Sequence, residues 1–294
     1  MVRVNAKMLS KNDRRALLVA QTNEITEAFV YKKLSESIKD THNREILKRI
    51  SNDEMKHAEI WKKHTGVNVR PSRLKMWKYL MISKLFGITF GLKLMERGEE
   101  KAQINYRRLT RSAPISKRIE MDEIKHEKML LEMIDEDRLK YTTSMSYGLS
   151  DAIVELTGAL AGFSLILHNT ALIALAVFII GISAALSMAS SEYLATKLEK
   201  NGRIPAKAAI YTGLTYIFAV LFLIYPYLIF TNPMLALVLT IVNAVVMIFI
   251  FTFYVSVTAN IPMKRRFLEM VIISFGVAAL SFSIGLLTRQ FLAL

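Results

Sequence analysis

The sequence predicts an all-α protein in two parts: a cytoplasmic four-helix bundle over residues 1–140 and a five-helix membrane domain over residues 141–294. The first part holds 31 of the 39 Lys and Arg and 20 of the 25 Asp and Glu, whereas the second is almost entirely apolar. Long helix-forming segments with short breaks fill the charged part, a pattern typical of antiparallel bundles. The apolar part divides into five segments, each close to the ~20 residues that cross a bilayer.

Turn-forming and helix-breaking residues divide the charged part into four predicted helices. These run over about residues 11–39, 43–64, 71–109 and 116–140, with Pro71 expected to open the third. Within the third helix, residues 79–95 are apolar but carry Lys84 and Lys93, and they are too few to cross a membrane. Two roles remain open for this segment: packing inside the bundle, or contact with the membrane surface.

An internal repeat carries the chemistry of the charged part. In each half, one helix has a Glu and a Tyr seven residues apart, and the next helix has a Glu-x-x-His motif. The members are Glu24, Tyr31, Glu54 and His57 in the first half, and Glu99, Tyr106, Glu123 and His126 in the second. Spacings of three and seven return to the same helix face, so each half directs its polar groups toward one axis.

Four carboxylates and two imidazoles are the donor set of a carboxylate-bridged di-metal site in a four-helix bundle. A solvated, salt-bridged face is the competing interpretation. It is disfavoured because core-type residues such as Ala20, Leu34 and Trp61 share the stripe. Three further acids can extend the site or hold a third metal: Glu27, Glu96 and Glu120. The chain has no Cys, which excludes thiolate ligands and Cys nucleophiles.

Five membrane spans are predicted near residues 143–167, 170–196, 205–230, 233–258 and 266–289. The links at 197–207 and 264–266 contain several Lys and Arg, whereas the other two links contain none. The positive-inside rule then places the N-terminal domain in the cytoplasm and the C-terminus outside. The N-terminal residues lack the pattern of a secretory signal, which supports the same orientation. We attribute the net charge of +14 to this cytoplasmic membrane face, and no motif indicates nucleic-acid binding.

Polar residues inside the first two spans are the predicted translocation residues. Asp151 and Glu155 lie one helical turn apart in span one, and Met188 and Glu192 have the same spacing in span two. An unpaired charge in a span is costly, so such carboxylates are usually functional. Carboxylate oxygen binds any divalent ion, while thioether sulfur favours Fe²⁺ and later metals over Mg²⁺ or Ca²⁺. Simple packing is the alternative for Met188.

Gly158 and Gly162 form a small-xxx-small pair in span one. Such pairs let helices approach closely. We expect this one to pack spans one and two together or to close a dimer.

The repeated Glu, Tyr and Glu-x-x-His pattern resembles the rubrerythrin branch of the ferritin-like superfamily over about residues 10–140. The resemblance implies two iron ions that react with oxygen or peroxide. It also implies roles for six residues: Glu24 and Glu99 as terminal ligands, Glu54 and Glu123 as bridging ligands, and His57 and His126 as nitrogen ligands. The chain lacks the Cys-rich rubredoxin module of full rubrerythrins.

The membrane part resembles the vacuolar iron transporter family over about residues 143–290. The matching features are Asp151 followed by Gly158 to Gly162, the stretch 187–194, the residues 204–209, Pro226, and the stretch 275–279. This resemblance implies a dimeric five-span proton antiporter that removes Fe²⁺, and often Mn²⁺, from the cytosol, with Asp151 and Met188 at translocation positions. Ala152 stands where a Gly usually follows the Asp, and a short basic link replaces the long metal-binding insert of plant members.

The combination of both parts resembles the membrane-bound ferritins of prokaryotes, for which iron export is implied. Mn²⁺ export would use the same ligands. A membrane-anchored ferroxidase or peroxidase, with the spans mainly as an anchor, is the alternative function. The presence of carboxylates inside the spans favours transport, because an anchor needs none.

Overall fold

The computed structural model describes residues 11–109, 116–133, 140–199 and 202–292, and these residues confirm the all-α class. They form ten helices and no strand. The chain divides into two compact units, Met1–Glu136 and Asp137–Leu294. The helices are α1 (Lys11–Ser37), α2 (Thr41–Thr65), α3 (Arg73–Phe86), α4 (Ile88–Leu109), α5 (Ser116–Glu132), α6 (Thr142–Ile166), α7 (Thr170–Leu198), α8 (Pro205–Ile229), α9 (Pro233–Thr258) and α10 (Met263–Leu292).

In the first unit, α1 and α2 form the most extensive helix pair. The Asp40 side chain accepts a hydrogen bond of 2.7 Å from the Asn43 backbone N–H at the start of α2, and Gly66 ends that helix with a left-handed φ of 68°. Helix α5 contacts both α2 and α4. Buried apolar side chains on α1, α2, α4 and α5 form the core: Val30, Leu34, Leu47, Ile50, Met95 and Leu130.

The prediction of one continuous helix over residues 71–109 is wrong, because the chain breaks at Gly87. Its φ of 99° and ψ of 155° lie in a region that essentially only glycine adopts. A side chain on Gly91 would lie 1.9 Å from Ser83 Oγ, so α3 and α4 pack closely beside the break. Helix α3 begins after Ser72 rather than at Pro71. The described part of the first unit therefore contains five helices instead of four.

The second unit contains five helices, α6 to α10, that are long and apolar enough to cross a membrane. Their bounds agree with the predicted spans to within three residues at every end. Helix α6 contacts each of the other four helices and is the most buried of the five. It therefore supplies much of the core, including Ile153, Leu156 and Leu160, against Tyr216 and Val220 of α8.

The glycine pair of span one packs against span five rather than span two. A side chain on Gly158 would lie 3.0 Å from Ser281 Oγ of α10, and one on Gly285 would lie 3.0 Å from the Gly162 backbone oxygen. The small residues thus allow close approach of α6 and α10. This face of α6 is therefore occupied by α10.

Candidate metal sites

Three helices of the first unit bring five ionisable side chains into one buried cluster. Helix α1 supplies Glu24, α2 supplies Glu54 and His57, and α5 supplies Glu123 and His126. Each is at most 5% exposed. Because residues three apart share a helix face, the Glu and His of each Glu-x-x-His motif point the same way. Ligand atoms of four members lie within 4.8 Å of one another, namely those of Glu24, Glu54, His57 and Glu123.

Two of the carboxylates lie between the two imidazoles. The two oxygens of Glu54 lie 3.4 Å from Nδ1 of His57 and 3.0 Å from Nδ1 of His126. Those of Glu123 lie 3.3 Å and 3.5 Å from the same two nitrogens. The ring centroids of the histidines are 5.9 Å apart. Each carboxylate thus directs one oxygen to each histidine, an arrangement suited to bridging two cations.

The outer nitrogen of each histidine faces an aspartate on the opposite helix. His57 Nε2 lies 3.7 Å from Asp122 Oδ2, and His126 Nε2 lies 3.6 Å from Asp53 Oδ2. Nζ of Lys125 lies 2.9 Å from Oδ1 of Asp122, and Nζ of Lys56 lies 2.7 Å from Oδ1 of Asp53. Such outer carboxylates fix the imidazole orientation and raise its basicity as a ligand. The sequence prediction missed both aspartates.

Trp61 fixes the orientation of the third carboxylate in the cluster. Its Nε1 donates a hydrogen bond of 3.0 Å to Glu24 Oε1. The other oxygen, Oε2, lies 3.5 Å from His57 Nδ1. Trp61 was expected only as a core residue, and it also positions a carboxylate of the cluster.

The cluster is electrostatically suited to a cation. Burial alone would raise the pKa of Glu24, but its contacts with His57, Glu54 and Trp61 lower that pKa below the ordinary value. Burial works against charge on His57 as well, yet the Glu123 and Glu24 carboxylates raise its pKa to about 10. When no metal is bound, the carboxylates therefore favour a proton on His57, at the position where a cation would bind.

A second observation, the hydrogen bonding of the buried atoms, also indicates that these residues could hold a metal ion. Among the described residues, no hydrogen bond satisfies the buried Nδ1 atoms of His57 and His126 or the buried Oε2 of Glu123. Buried polar atoms normally have partners, and mixed carboxylate and imidazole donors suit divalent transition metals. The cluster can therefore hold a metal ion.

The other predicted ligands differ in placement. Glu27 is half-buried, and burial together with the Glu24 and Glu123 carboxylates raises its pKa to about 8. Glu96 and Glu120 are half-buried and are not members of the four-residue group. The side chains of Glu99 and Tyr106 lie outside the described part of the chain.

In the second unit, three of the four predicted translocation residues line one cleft between α6 and α7. The cleft has a volume of ≈ 560 Å³. Its lining residues are Asp151, Glu155, Ile179, Ile180, Ser183, Ala184, Ser187 and Met188. Asp151 is exposed, whereas Glu155 and Met188 are half-buried. The cleft thus combines two carboxylates, a thioether and hydroxyl groups.

Glu155 also accepts a hydrogen bond from a residue of α8. The hydroxyl of fully buried Tyr216 donates a hydrogen bond of 2.5 Å to Glu155 Oε2. The sequence prediction had not singled out Tyr216, because a tyrosine in an apolar span most often marks packing or an interface.

Glu192 is not among the residues that line this cleft. It is buried, and Ser144 donates a hydrogen bond of 2.6 Å to its Oε1. Thr196 donates to the same oxygen at 3.3 Å, and Arg203 Nη1 lies 3.6 Å away. The structure therefore places Glu192 in a polar network of α6, α7 and the link to α8, apart from Met188.

Comparisons with models of known protein families, with curated proteins and with solved structures find no match.

Proposed function

We propose that the protein is a proton-coupled transporter that exports Fe²⁺ from the cytoplasm, and that its first unit is a cytoplasmic ferritin-like domain that captures or senses the metal. The observation that carries this proposal is the cleft that holds Asp151, Glu155 and Met188 between two helices apolar enough to span a membrane. Carboxylates at such positions usually mark an ion pathway. The buried Glu and His cluster in the same chain supplies a second metal-binding group.

The first unit would hold two metal ions. Glu54 and Glu123 would bridge them, since each directs one oxygen to each histidine. Glu24 and His57 would complete one site, and His126 the other together with Glu99 of the matching repeat. This donor set is that of di-iron and di-manganese four-helix bundles, so Mn²⁺ would use the same ligands as an alternative substrate. Bound iron supplies one-electron redox chemistry at this position.

Within the spans, Asp151 would exchange a proton for a cation. An isolated ionised carboxylate is strongly disfavoured in hydrocarbon, so Asp151 is neutral or paired with a cation. Alternating occupancy by a proton and a metal gives an antiport cycle. Met188 would add a soft ligand that favours Fe²⁺ over Mg²⁺ and Ca²⁺.

A homodimer would cover the cleft. Asp151 is exposed on one protomer, and lipid is an unfavourable neighbour for a carboxylate. A second copy placed over α6 and α7 would enclose the cleft between protomers. The basic links 197–207 and 264–266 support an orientation with the first unit in the cytoplasm and the C-terminus outside.

Flux measurements on purified full-length protein in liposomes test this proposal. An imposed pH gradient should drive Fe²⁺ or Mn²⁺ across the membrane, with opposite proton movement recorded by a pH-sensitive dye. Protein-free liposomes give the background leak. Metal flux that ignores the pH gradient, or no flux at all, would reject the proposal.

A membrane-anchored ferroxidase or peroxidase is the second candidate function, and the bridging arrangement of Glu54 and Glu123 favours it. In that case Fe²⁺ would be oxidised to Fe³⁺, with oxygen or peroxide as the electron acceptor. Catalytic Fe²⁺ oxidation by full-length protein that moves no metal across the membrane would select this function.

A further inference from the structure

Helix α3 exposes an apolar stripe that its own unit does not cover. Leu74, Trp77 and Leu85 are 77%, 64% and 65% exposed, and Met81 is also exposed. These positions recur every three or four residues and therefore share one helix face. Other side chains of α3 pack against the core of the first unit instead: Met76, Tyr79 and Leu80.

Basic residues flank this stripe on both sides. At 100° per residue, Lys75 and Lys78 lie to one side of it, and Arg73 and Lys84 lie to the other. All four are exposed. Residues 60–95 contain eight Lys and Arg and no Asp or Glu. Helix α3 itself therefore carries basic residues and no carboxylate, beside an apolar stripe that includes a tryptophan.

We propose that this face of α3 docks on the anionic lipid surface of the bilayer that α6 to α10 cross. An apolar face flanked by Lys and Arg is the pattern of helices that lie in a membrane interface, and tryptophan is enriched there. Each basic residue near an anionic leaflet adds electrostatic attraction. The docking requires the five spans to lie in a bilayer, and it is independent of what they transport.

The small sequence separation of the two units also favours the lipid surface as the partner of α3. Only nine residues, 133–141, separate α5 from α6 in the sequence. Because α3 and the five apolar helices belong to one chain, the binding of α3 to the surrounding lipid is intramolecular, so even a weak interaction is populated. A second copy is a poorer partner, because two α3 faces would bring like charges together.

Fluorescence quenching of the full-length protein tests the docking. The chain has two tryptophans, Trp61 and Trp77, and Trp61 is fully buried. The fluorescence that is lost in the Trp77→Phe variant is therefore the emission of Trp77. In nanodiscs of phosphatidylcholine and phosphatidylglycerol, brominated acyl chains should quench most of the Trp77 emission. The double charge reversal Lys78→Glu with Lys84→Glu should weaken docking by at least about tenfold, as should phosphatidylcholine alone. Unquenched Trp77 in anionic nanodiscs would overturn the proposal.

Single cysteines give a second measurement, because the chain has none of its own. A nitroxide attached to Met81→Cys should be more accessible to oxygen in the lipid than to a water-soluble nickel chelate. The matched control is Met121→Cys on α5, which is 56% exposed and should show the opposite preference. Water-like accessibility at both positions would reject the docking. Ready disulfide formation between two Met81→Cys chains, independent of lipid charge, would assign the stripe to a second copy instead.

Discussion

His57 and Asp122 meet across two helices, with Nε2 of the imidazole 3.7 Å from Oδ2 of the carboxylate. His126 and Asp53 repeat this relationship in the opposite direction at 3.6 Å. The inner nitrogens face the Glu54 and Glu123 carboxylates, so each ring has carboxylates on both sides. The cluster thus has a two-fold pattern that extends beyond the atoms able to touch a metal.

Asp53→Asn and Asp122→Asn should each weaken metal binding by about 10–100-fold, because outer carboxylates orient and polarise the histidines. Equilibrium dialysis of the full-length protein with Mn²⁺ measures this directly. Glu59→Gln, an exposed change on the same helix as Asp53, should leave affinity unaltered. Equal affinities in all three variants would mean that the aspartates only pair with Lys56 and Lys125.

Glu54→Gln should abolish the stabilisation of the first unit by metal, since Glu54 contacts both histidines. A ligand at 100 times its dissociation constant stabilises the folded state by about 2.7 kcal/mol. Calorimetry in detergent should therefore show an increase in Tm with Mn²⁺ for the wild type and none for Glu54→Gln. Glu45→Gln, an exposed change on α2, should retain the increase. A preserved increase in Glu54→Gln would contradict the bridging role.

Metal affinity should rise with pH between about pH 6 and 8 by at least tenfold per unit. His57, with its pKa of about 10, carries a proton over this range in the metal-free protein, and a cation at Nδ1 must displace it. Glu27, with a pKa of about 8, adds to the proton release. The metal-free form thus binds more protons, so acid favours it. Titration calorimetry in buffers of different ionisation enthalpy counts the released protons. His42→Gln, an exposed change, should keep this slope, and a pH-independent affinity would exclude His57 as a ligand.

Asp151→Asn should abolish proton-coupled metal flux, because the amide keeps the shape of the side chain but cannot exchange a proton. Metal binding by the first unit should persist in the same full-length protein. Glu269→Gln on α10 is the control that should transport normally. Undiminished coupled flux in Asp151→Asn would leave the anchored enzyme as the leading function.

Met188→Ala should retain partial flux with weaker preference for Fe²⁺ over Mg²⁺ and Ca²⁺, because the soft ligand is lost. Competition assays in liposomes measure this preference. Met234→Ala, at the exposed start of α9, should keep wild-type selectivity. Unchanged selectivity in Met188→Ala would mean that Met188 only packs against its neighbours and does not bind the metal.

Some features follow from the order of residues alone. An apolar run of suitable length has to become a spanning or buried helix, so the five spans were predictable. Spacings of three residues fix a helix face, so the pairing of Glu54 with His57 and of Glu123 with His126 was predictable as well. The longer repeat Asp-Glu-x-Lys-His, at 53–57 and 122–126, was also visible and would have identified both outer aspartates.

Only the tertiary structure decides which helix faces meet. Gly158 and Gly162 were expected on a face shared with span two or a second copy, and they pack against α10 instead. Met188 and Glu192 share a spacing of four, yet Glu192 bonds to Ser144 and lies outside the cleft. The break at Gly87 requires a φ of 99°, which the spacing of apolar residues does not reveal. Periodicity determines the neighbours of a residue along its own helix, whereas its partners on other helices depend on packing between segments distant in sequence.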